Sequence, residues 1–245
     1  MMKNVFAFGL IFFMFFSPSE MRGTFNGLLP EYPAVAATGN ERDAALLKES
    51  AALYDSMRLQ DYGLGEKAFQ FAWIGYQTLL EQGKLQKQDL ITICDFSQSS
   101  RNKRLYIISL DSMKVVQNTY VAHGRNSGTE FAQYFSNTPR SHKSSLGFYV
   151  TGKTYTGQHG LSLEINGVEK GINDRALARR IVIHGSDYVG EEFLEHNPFT
   201  GRSYGCPAVP RSEIDFIIQT IKEGSCLFIY HPSTLYLKQS KILNG

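Results

Sequence analysis

The hydrophobic pattern changes its period at Leu90, and this change constrains the fold more than any other feature of the chain. Before it, apolar residues recur at helical spacing from Glu41 to Leu59 and from Gly65 to Gln82. After it, apolar and polar residues alternate mostly with period two as far as Gly171. The sequence therefore predicts an α+β protein, mostly β, in which an N-terminal helical segment packs on a sheet with hairpin connections.

Short apolar runs bounded by turn residues mark the individual strands. The predicted strands are 90–93, 105–110, 115–121, 147–150, 161–165, 181–183 and 226–230. A short helical connector is expected at 173–180, and Ser212 can cap a helix that runs to Lys222. With 245 residues, of which 42% are hydrophobic, the chain has ample material for a core.

The N-terminus carries the pattern of an export signal. Lys3 precedes an apolar run of twelve residues from Val5 to Phe16. This run is too short to cross a bilayer as a helix but has the length of a signal-peptide core. The cleavage point is not defined by the pattern, and an uncleaved membrane anchor remains the alternative.

If the protein is exported, its cysteines can form disulfides, because disulfides persist outside the cytoplasm. The chain has three cysteines, Cys94, Cys206 and Cys226. Three is an odd number, so at least one thiol stays free. A Cys94–Cys226 pair would leave Cys206 free. Alternatively both are inert core residues, since each lies in an apolar run typical of a strand.

The charge balance excludes one class of ligand. With 25 basic and 23 acidic side chains the net charge is +2, too small and too scattered for a nucleic-acid surface. A metal site is one reading of the acidic residues near His184 and His196, which are Asp187, Glu191, Glu192 and Glu195. No pair has the spacing of a zincin helix, so a solvated acidic face is the interpretation, and no metal is predicted.

The chemistry is concentrated between Ile181 and Pro210. An apolar run at 181–183 is followed by His184 and Gly185. A polar loop then leads to Cys206, which lies between Gly205 and Pro207. A thiol attacks carbonyls as the thiolate, and an imidazole can take its proton and return it later. We therefore predict His184 as the base and Cys206 as the nucleophile, with backbone N–H groups of Gly205 and Cys206 as oxyanion donors.

The segments 184–186 (His-Gly-Ser) and 203–206 (Ser-Tyr-Gly-Cys) resemble the motif of the L,D-transpeptidase catalytic domain family, also called YkuD-like, of bacterial cell-wall enzymes. Tyr204 stands where the usual motif has a second histidine. Pro207 and Ala208 replace the usual polar residues after the cysteine. These departures resemble a branch of the family whose own motif is Gly-Arg-Ser-aromatic-Gly-Cys-Pro-Ala.

Four segments upstream also resemble motifs of this branch, and the resemblance as a whole extends over residues 64–232. They are 121–125 (Val-Ala-His-Gly-Arg), 136–139 (Ser-Asn-Thr-Pro), 144–149 (Ser-Ser-Leu-Gly-Phe-Tyr) and 155–160 (Tyr-Thr-Gly-Gln-His-Gly).

The resemblance implies a β-sandwich or barrel catalytic domain that transfers acyl groups between peptidoglycan stem peptides. Cys206 would form a thioester with a donor tetrapeptide, and an amine would resolve it to give a crosslink. Water in place of the amine would make the enzyme an L,D-carboxypeptidase. No ATP or other cofactor is expected, because the thioester retains the energy of the broken peptide bond.

Two other classes of protein are alternatives to an L,D-transpeptidase. A non-catalytic wall-binding protein could keep the fold, although a pure binder needs neither His184 nor Cys206. A papain-like peptidase places its cysteine before its histidine in the chain, and here the histidine comes first.

The resemblance also suggests roles for the neighbours of the pair. The carbonyl of Gly185 would orient the ring of His184, and Ser203 would form a hydrogen bond within the loop. The candidates for substrate binding are Arg202 and Arg140 for carboxylates, Tyr204 as a pocket wall, Ser186, and His159 along the cleft. Surface solvation of the arginines and ordinary packing of Tyr204 and His159 are the alternatives, and His123 has the same status as His159.

The expected organisation has five parts. They are a signal peptide at 1–23, a linker at 24–40, the helical segment at 41–88, the L,D-transpeptidase-like catalytic domain at 89–235 and a tail at 236–245. The resemblance places the protein in the periplasm or cell wall of a bacterium, with membrane contact only through an uncleaved N-terminus.

Overall fold

The computed structural model describes residues 39–158 and 160–245, and the predicted signal peptide lies outside them. The strands of this part are β1 (Leu90–Asp95), β2 (Leu105–Ser109), β3 (Lys114–Thr119), β4 (Gly147–Gly157), β5 (Gly160–Gly167), β6 (Val182–Ser186), β7 (Ala208–Pro210) and β8 (Cys226–Tyr230). In the described residues they form one mixed sheet of eight strands, in the order β3-β2-β1-β8-β4-β5-β6-β7.

Helices lie before, within and after the sheet segments. They are α1 (Gly39–Ser56), α2 (Glu66–Glu81), α3 (Glu191–His196), α4 (Ile214–Ile221), α5 (Thr234–Gln239) and α6 (Lys241–Asn244), with a 3-10 turn at Leu59–Tyr62. The two predicted N-terminal helices are confirmed as α1 and α2 within a few residues. With all seven predicted strands also present, the α+β fold class is confirmed.

The core is centred where α2 packs on β1 and β8. Phe148 on β4 and Phe228 on β8 stack with ring centroids 4.1 Å apart. Gly75 in α2 is required here, because a Cβ at this position would lie 1.9 Å from Cζ of Phe148. A glycine in the middle of a helix is intrinsically unfavourable, and here it allows the helix to approach the aromatic pair closely.

A buried carboxyl group joins the sheet to the C-terminal helices. Glu169 is 4% exposed and accepts hydrogen bonds from the Phe148 N–H at 2.7 Å, the Tyr236 hydroxyl at 3.2 Å and the Ser240 hydroxyl. Burial raises the pKa of this carboxyl group above its ordinary value, while these donors oppose the rise. The end of the chain is thereby fixed on the start of β4.

Cys94 and Cys226 are free and buried, so the disulfide alternative is not found. They lie on neighbouring parallel strands, but Cys94 is opposite Ile229 and Cys226 is opposite Ile91. An offset of three residues separates their Cα atoms by about 10 Å, beyond the reach of a disulfide. The other alternative, two inert core thiols, agrees with this burial.

No helix among the described residues is long and apolar enough to cross a membrane.

Candidate active site

His184 lies on β6 in the middle of three paired strands and is 2% exposed. It is opposite Ser162 of β5 on one side and Ala208 of β7 on the other. Its Nδ1 lies 3.1 Å from the carbonyl oxygen of Gly185. A carbonyl can only accept, so Nδ1 carries the proton and Nε2 is the ring nitrogen with the lone pair.

The register of β6 and β7 brings Cys206 to the same part of the sheet. These strands are parallel with His184 opposite Ala208, and Cys206 lies two residues before Ala208. Strand geometry then separates the Cα atoms of His184 and Cys206 by roughly 8 Å, a distance that two side chains on one face can close. The Sγ of Cys206 is 3.6 Å from the carbonyl oxygen of Arg180, which lies two residues before the start of β6.

Two neighbouring loops hold the cysteine loop in place. Ser203 donates its N–H to the carbonyl of His123 at 3.0 Å and accepts the N–H of Arg125 at 2.8 Å. Ser144 accepts the Gly124 N–H at 3.0 Å and donates to the carbonyl of Gly205 at 3.2 Å. The backbone around the thiol is therefore anchored from two directions.

Gly205 is required by its backbone conformation and by its surroundings. Its φ is +124°, and a Cβ would lie 2.8 Å from the carbonyl oxygen of Lys143. Its N–H already donates to Ser203 Oγ at 3.0 Å. Among the described residues, the Cys206 N–H has no such acceptor, so of the two expected oxyanion donors it is the one available in this conformation.

The surroundings of Cys206 favour the protonated thiol over the thiolate. Burial raises its pKa above the ordinary value, and a backbone hydrogen bond from Val182 and the positive charge of Arg179 oppose the rise. The residue as a whole is half-buried. A thiol in such surroundings needs a nearby base to become a thiolate.

Arg179 was not recognised from the sequence. Its guanidinium group donates to the carbonyls of Ser136 at 2.7 Å and Lys143 at 2.6 Å, and to the hydroxyls of Ser141 and Ser145. It also lies 3.3 Å from the position that a Cβ of Gly205 would occupy. An arginine at the end of a short connector carries no sequence signal for this role.

Tyr204 is 64% exposed beside the thiol, with two neighbours that the sequence did not suggest. Its ring contacts that of His142, with centroids 4.6 Å apart, and the guanidinium group of Arg125 lies 5.1 Å from its centroid. Tyr204 thus forms an exposed aromatic wall between a histidine and a cation.

The other expected substrate-binding residues are dispersed. Arg202 donates to the carbonyls of Arg125 and Gly128 at 3.3 and 3.1 Å, so its guanidinium group is partly engaged by the loop. Arg140 is exposed in the loop that also carries His142.

Ser186 lines a cavity of about 630 Å³ at the other end of β6 from the thiol. His159 lies outside the described residues.

His123 is fully buried beneath the cysteine loop and does not line the cleft. Its Nδ1 accepts a hydrogen bond at 2.8 Å from Arg104, which is itself fully buried and also donates to the carbonyl of Val121. Burial and the adjacent Arg104 charge lower the pKa of His123 to about 3. The pair supports the segment to which Ser203 is hydrogen-bonded.

No group of three or more metal-binding side chains occurs among the described residues. Of the acidic residues near His184, Asp187 forms a two-point ion pair with Arg211 at 2.6 and 2.9 Å.

Fold and site together define an α+β domain in which a histidine on β6 lies opposite β7, the strand that begins two residues after a cysteine. Residues 60–230 match the family model described as the L,D-transpeptidase catalytic domain, and the chain belongs to this family. The resemblance inferred from the motifs is thereby confirmed. A comparison with curated proteins found no significant match.

Several solved structures are similar to the chain. An L,D-transpeptidase from Mycobacterium smegmatis is 7% identical with a TM-score of 0.36. The matched region covers 58% of this chain and 59% of the Mycobacterium smegmatis chain. The helical cell shape determining protein Pgp2 from Campylobacter jejuni is 15% identical with a TM-score of 0.39, covering 64% and 56%. An L,D-transpeptidase from Xylanimonas cellulosilytica is 14% identical with a TM-score of 0.33, covering 73% and 92%. The chain thus spans less than two thirds of the length of the Mycobacterium smegmatis and Campylobacter jejuni proteins.

Proposed function

We propose that the protein is an exported L,D-transpeptidase that uses Cys206 to transfer acyl groups between peptidoglycan stem peptides. The observation that supports this proposal is the register of β6 and β7, in which His184 is opposite Ala208, two residues after Cys206, while Nδ1 of His184 lies against the Gly185 carbonyl. Such fixing selects the tautomer that a general base needs.

The first half-reaction forms a thioester. Nε2 of His184 takes the proton of the Cys206 thiol as Sγ attacks the carbonyl of the third residue of a donor tetrapeptide. The Cys206 N–H stabilises the oxyanion that develops on the carbonyl oxygen. The tetrahedral intermediate then collapses, the C–N bond breaks, and His184 returns the proton to the departing D-alanine amine.

The second half-reaction reverses these roles. The amine of a neighbouring stem attacks the thioester carbonyl, His184 takes a proton from that amine, and Sγ leaves to recover it as the thiol. The raised pKa of Cys206 suits this cycle, because proton transfer to His184 is coupled to substrate binding and the unliganded thiol stays unreactive.

Several features support a cell-wall substrate outside the cytoplasm. The N-terminal residues have the composition of an export signal, and the family to which the chain belongs is that of L,D-transpeptidase domains. Exposed Tyr204 and Arg125 beside the thiol can accommodate a polar peptide with carboxylate groups. Crosslinking and trimming differ only in whether an amine or water resolves the thioester.

Mass spectrometry of the products formed from purified tetrapeptide muropeptides tests the proposal. Crosslinked dimers that require Cys206 support transpeptidation, whereas tripeptides alone identify a carboxypeptidase. The Cys206→Ala variant is compared with Cys226→Ala, which removes a buried thiol on β8, a strand separated from β6 by β4 and β5. Absence of any turnover by the wild-type protein would favour a wall-binding role instead.

A further inference from the structure

A pocket that neither His184 nor Cys206 lines has no role in the acyl transfer derived above. Its volume is about 320 Å³. Residues from three segments that are far apart in the chain, 133–137, 171–172 and 233–239, form most of its walls. A molecule bound there is therefore held by the domain away from the two groups that carry the acyl transfer.

Two large side chains on the walls of this pocket are exposed to solvent. Tyr134 is 59% exposed and Leu235 is 67% exposed. Exposed apolar surface of this size around a concave site indicates a surface that a ligand covers. A tyrosine ring presents a flat apolar face with a hydroxyl group at its edge. The C–H bonds on one face of a sugar ring form a complementary flat apolar surface.

Tyr134 is restrained before any ligand binds. The N–H groups of Gln133 and Tyr134 both donate to the carbonyl of Ser127, at 2.7 and 3.0 Å. The ammonium group of Lys143 lies 5.4 Å from the centroid of the Tyr134 ring, within the range of a cation–π contact. A ring that is already held by its backbone and by a neighbour loses little conformational freedom when a ligand packs on it.

The polar groups of the pocket suit an uncharged ligand that is rich in hydrogen-bonding groups. Gln133 and Gln239 line the pocket and are exposed, and within the described ranges neither side-chain amide forms a hydrogen bond. Each amide offers two N–H donors and a carbonyl acceptor. Among the described residues that line the pocket, Lys143 is the only charged one. Hydroxyl and acetamido groups of a sugar match these amides.

Lys143 connects the pocket to the loop that carries the thiol. It lines the pocket, while its carbonyl oxygen lies 2.8 Å from the position that a Cβ on Gly205 would occupy. The pocket is thus about one lysine side chain away from the residue that precedes Cys206. In a stem attacked at its third residue, the chain between the attacked carbonyl and the glycan spans about 10 Å when extended. A glycan strand can therefore lie in the pocket while one of its stems lies near the thiol.

We propose that this pocket binds an N-acetylated amino sugar of the peptidoglycan glycan strand. The sugar ring packs on Tyr134, the amides of Gln133 and Gln239 bind its hydroxyl and acetamido groups, and Leu235 contacts the acetamido methyl group. The assignment rests on the proposed function for the choice of the cell wall as substrate. It extends that function by adding a saccharide site that holds the polymer independently of the stem peptide.

Binding of a glycan without stem peptides tests the assignment. The probe is a stem-free tetrasaccharide of the glycan strand, titrated by calorimetry into the Cys206→Ala protein, so that the result does not depend on turnover. We expect saturable binding that Tyr134→Ala weakens about tenfold and that Tyr134→Phe retains, because phenylalanine keeps the stacking face. Cellotetraose, which lacks acetamido groups, should bind at least about tenfold more weakly than the probe.

Phe131→Ala is the matched control for the loss of an exposed aromatic ring. Phe131 is 49% exposed, lies three residues before Tyr134 and does not line the pocket. Its substitution should leave the affinity for the tetrasaccharide unchanged. Equal weakening by Phe131→Ala and Tyr134→Ala would show a general loss of structure and would overturn the assignment to the pocket.

Turnover of two substrates separates binding of the polymer from the chemistry. On fragments of peptidoglycan with intact glycan strands, Tyr134→Ala should raise KM about tenfold and leave kcat nearly unchanged. On free tetrapeptide stems without sugar, the same variant should match the wild-type protein in both constants. A purely structural role for Tyr134 would instead lower the turnover of both substrates.

The saccharide site and the proposed function fail in different ways. No binding of the tetrasaccharide, equal binding of cellotetraose, or unchanged affinity in Tyr134→Ala would overturn the saccharide site even if the wild-type protein crosslinks stems. Binding that depends on Tyr134 in a protein that turns over no stem would support the site and reject the transpeptidase activity.

Discussion

Ser203 Oγ lies 2.6 Å from the carbonyl oxygen of Cys206 and 3.0 Å from the Gly205 nitrogen, so one hydroxyl both donates and accepts within the cysteine loop. It donates to the residue that carries the thiol and accepts from the glycine before it. The loop is thereby closed by a side chain, because residues 204–207 pair with no strand in the part of the chain that the structure describes. The orientation of the Cys206 N–H depends on this closure.

We expect Ser203→Ala to lower kcat/KM on tetrapeptide stems by about tenfold, since two hydrogen bonds worth about 1 kcal/mol each are lost around the oxyanion donor. The melting temperature should fall by about 4–8 °C, since each kcal/mol corresponds to about 2–4 °C for a chain of this size. Steady-state kinetics and thermal unfolding of the same preparation check both. A loss of activity that merely follows unfolding would contradict the positioning role.

Gly205→Ala is expected to be severe because it combines two costs. The left-handed φ of +124° disfavours any side chain, and the new Cβ would meet the Lys143 carbonyl. Together these cost about 3 kcal/mol and displace the thiol. Gly83→Ala is the control, since Gly83 has φ +63° with nothing within 4 Å of its Cβ position, and it should cost about 1 kcal/mol. Chemical denaturation of both variants measures the difference, and equal losses would reject the steric account.

Substitution of Arg179 tests how its positive charge acts on the Cys206 thiol. Its charge lowers the pKa of Cys206, so Arg179→Met should raise that pKa further and slow alkylation of the thiol at neutral pH. Arg179→Lys should restore part of the alkylation rate but not the stability, because lysine cannot form the hydrogen bonds to four different residues. The pH dependence of iodoacetamide labelling at Cys206 measures the first effect. An identical pH profile in Arg179→Met would show that the residue is only a structural brace.

The sequence was sufficient to predict the elements that follow from local pattern. The period change at Leu90, the helical spacing before it and the apolar runs of the strands are local signals, and the structure has these elements at nearly the expected positions. The helices α5 and α6 were not predicted, because their burial depends on Tyr236 and Ile242 packing against distant residues. Such contacts leave no periodic signal in a segment of ten residues.

The candidate site shows the same division. His184 and Cys206 were inferred from their own motifs, whereas Arg179 and Arg180 come from a connector that has no motif. Ser186 is a substrate-binding candidate from the segment 184–186, which resembles the family motif. Along a strand, however, two residues of separation move a side chain by about 7 Å, and Ser186 faces a different cavity.

The buried pair of Arg104 and His123 predicts a specific dependence of stability on pH. The folded-state pKa of His123 is lowered to about 3, below its unfolded value, so the unfolded chain binds the extra proton first. This contribution to stability is present above about pH 6.5 and is lost as the pH falls towards about 3.

Between pH 7 and pH 5 the loss attributable to His123 is about 2 kcal/mol. Urea denaturation at both pH values, compared with the non-titrating His123→Gln variant, isolates this contribution. The variant should lose less stability on acidification than the wild-type protein, and parallel pH profiles would contradict a buried neutral histidine.

The most direct test of the account is to identify the residue that carries the acyl group. The protein is mixed with a tetrapeptide stem without an acceptor amine, quenched in acid, digested and analysed by mass spectrometry. We expect the tripeptide acyl group, which is the stem less its terminal D-alanine, on the peptide containing Cys206. The Cys206→Ala variant should carry no such group and release no D-alanine. An acyl group on another residue, or release of D-alanine by Cys206→Ala at the wild-type rate, would contradict the thioester mechanism.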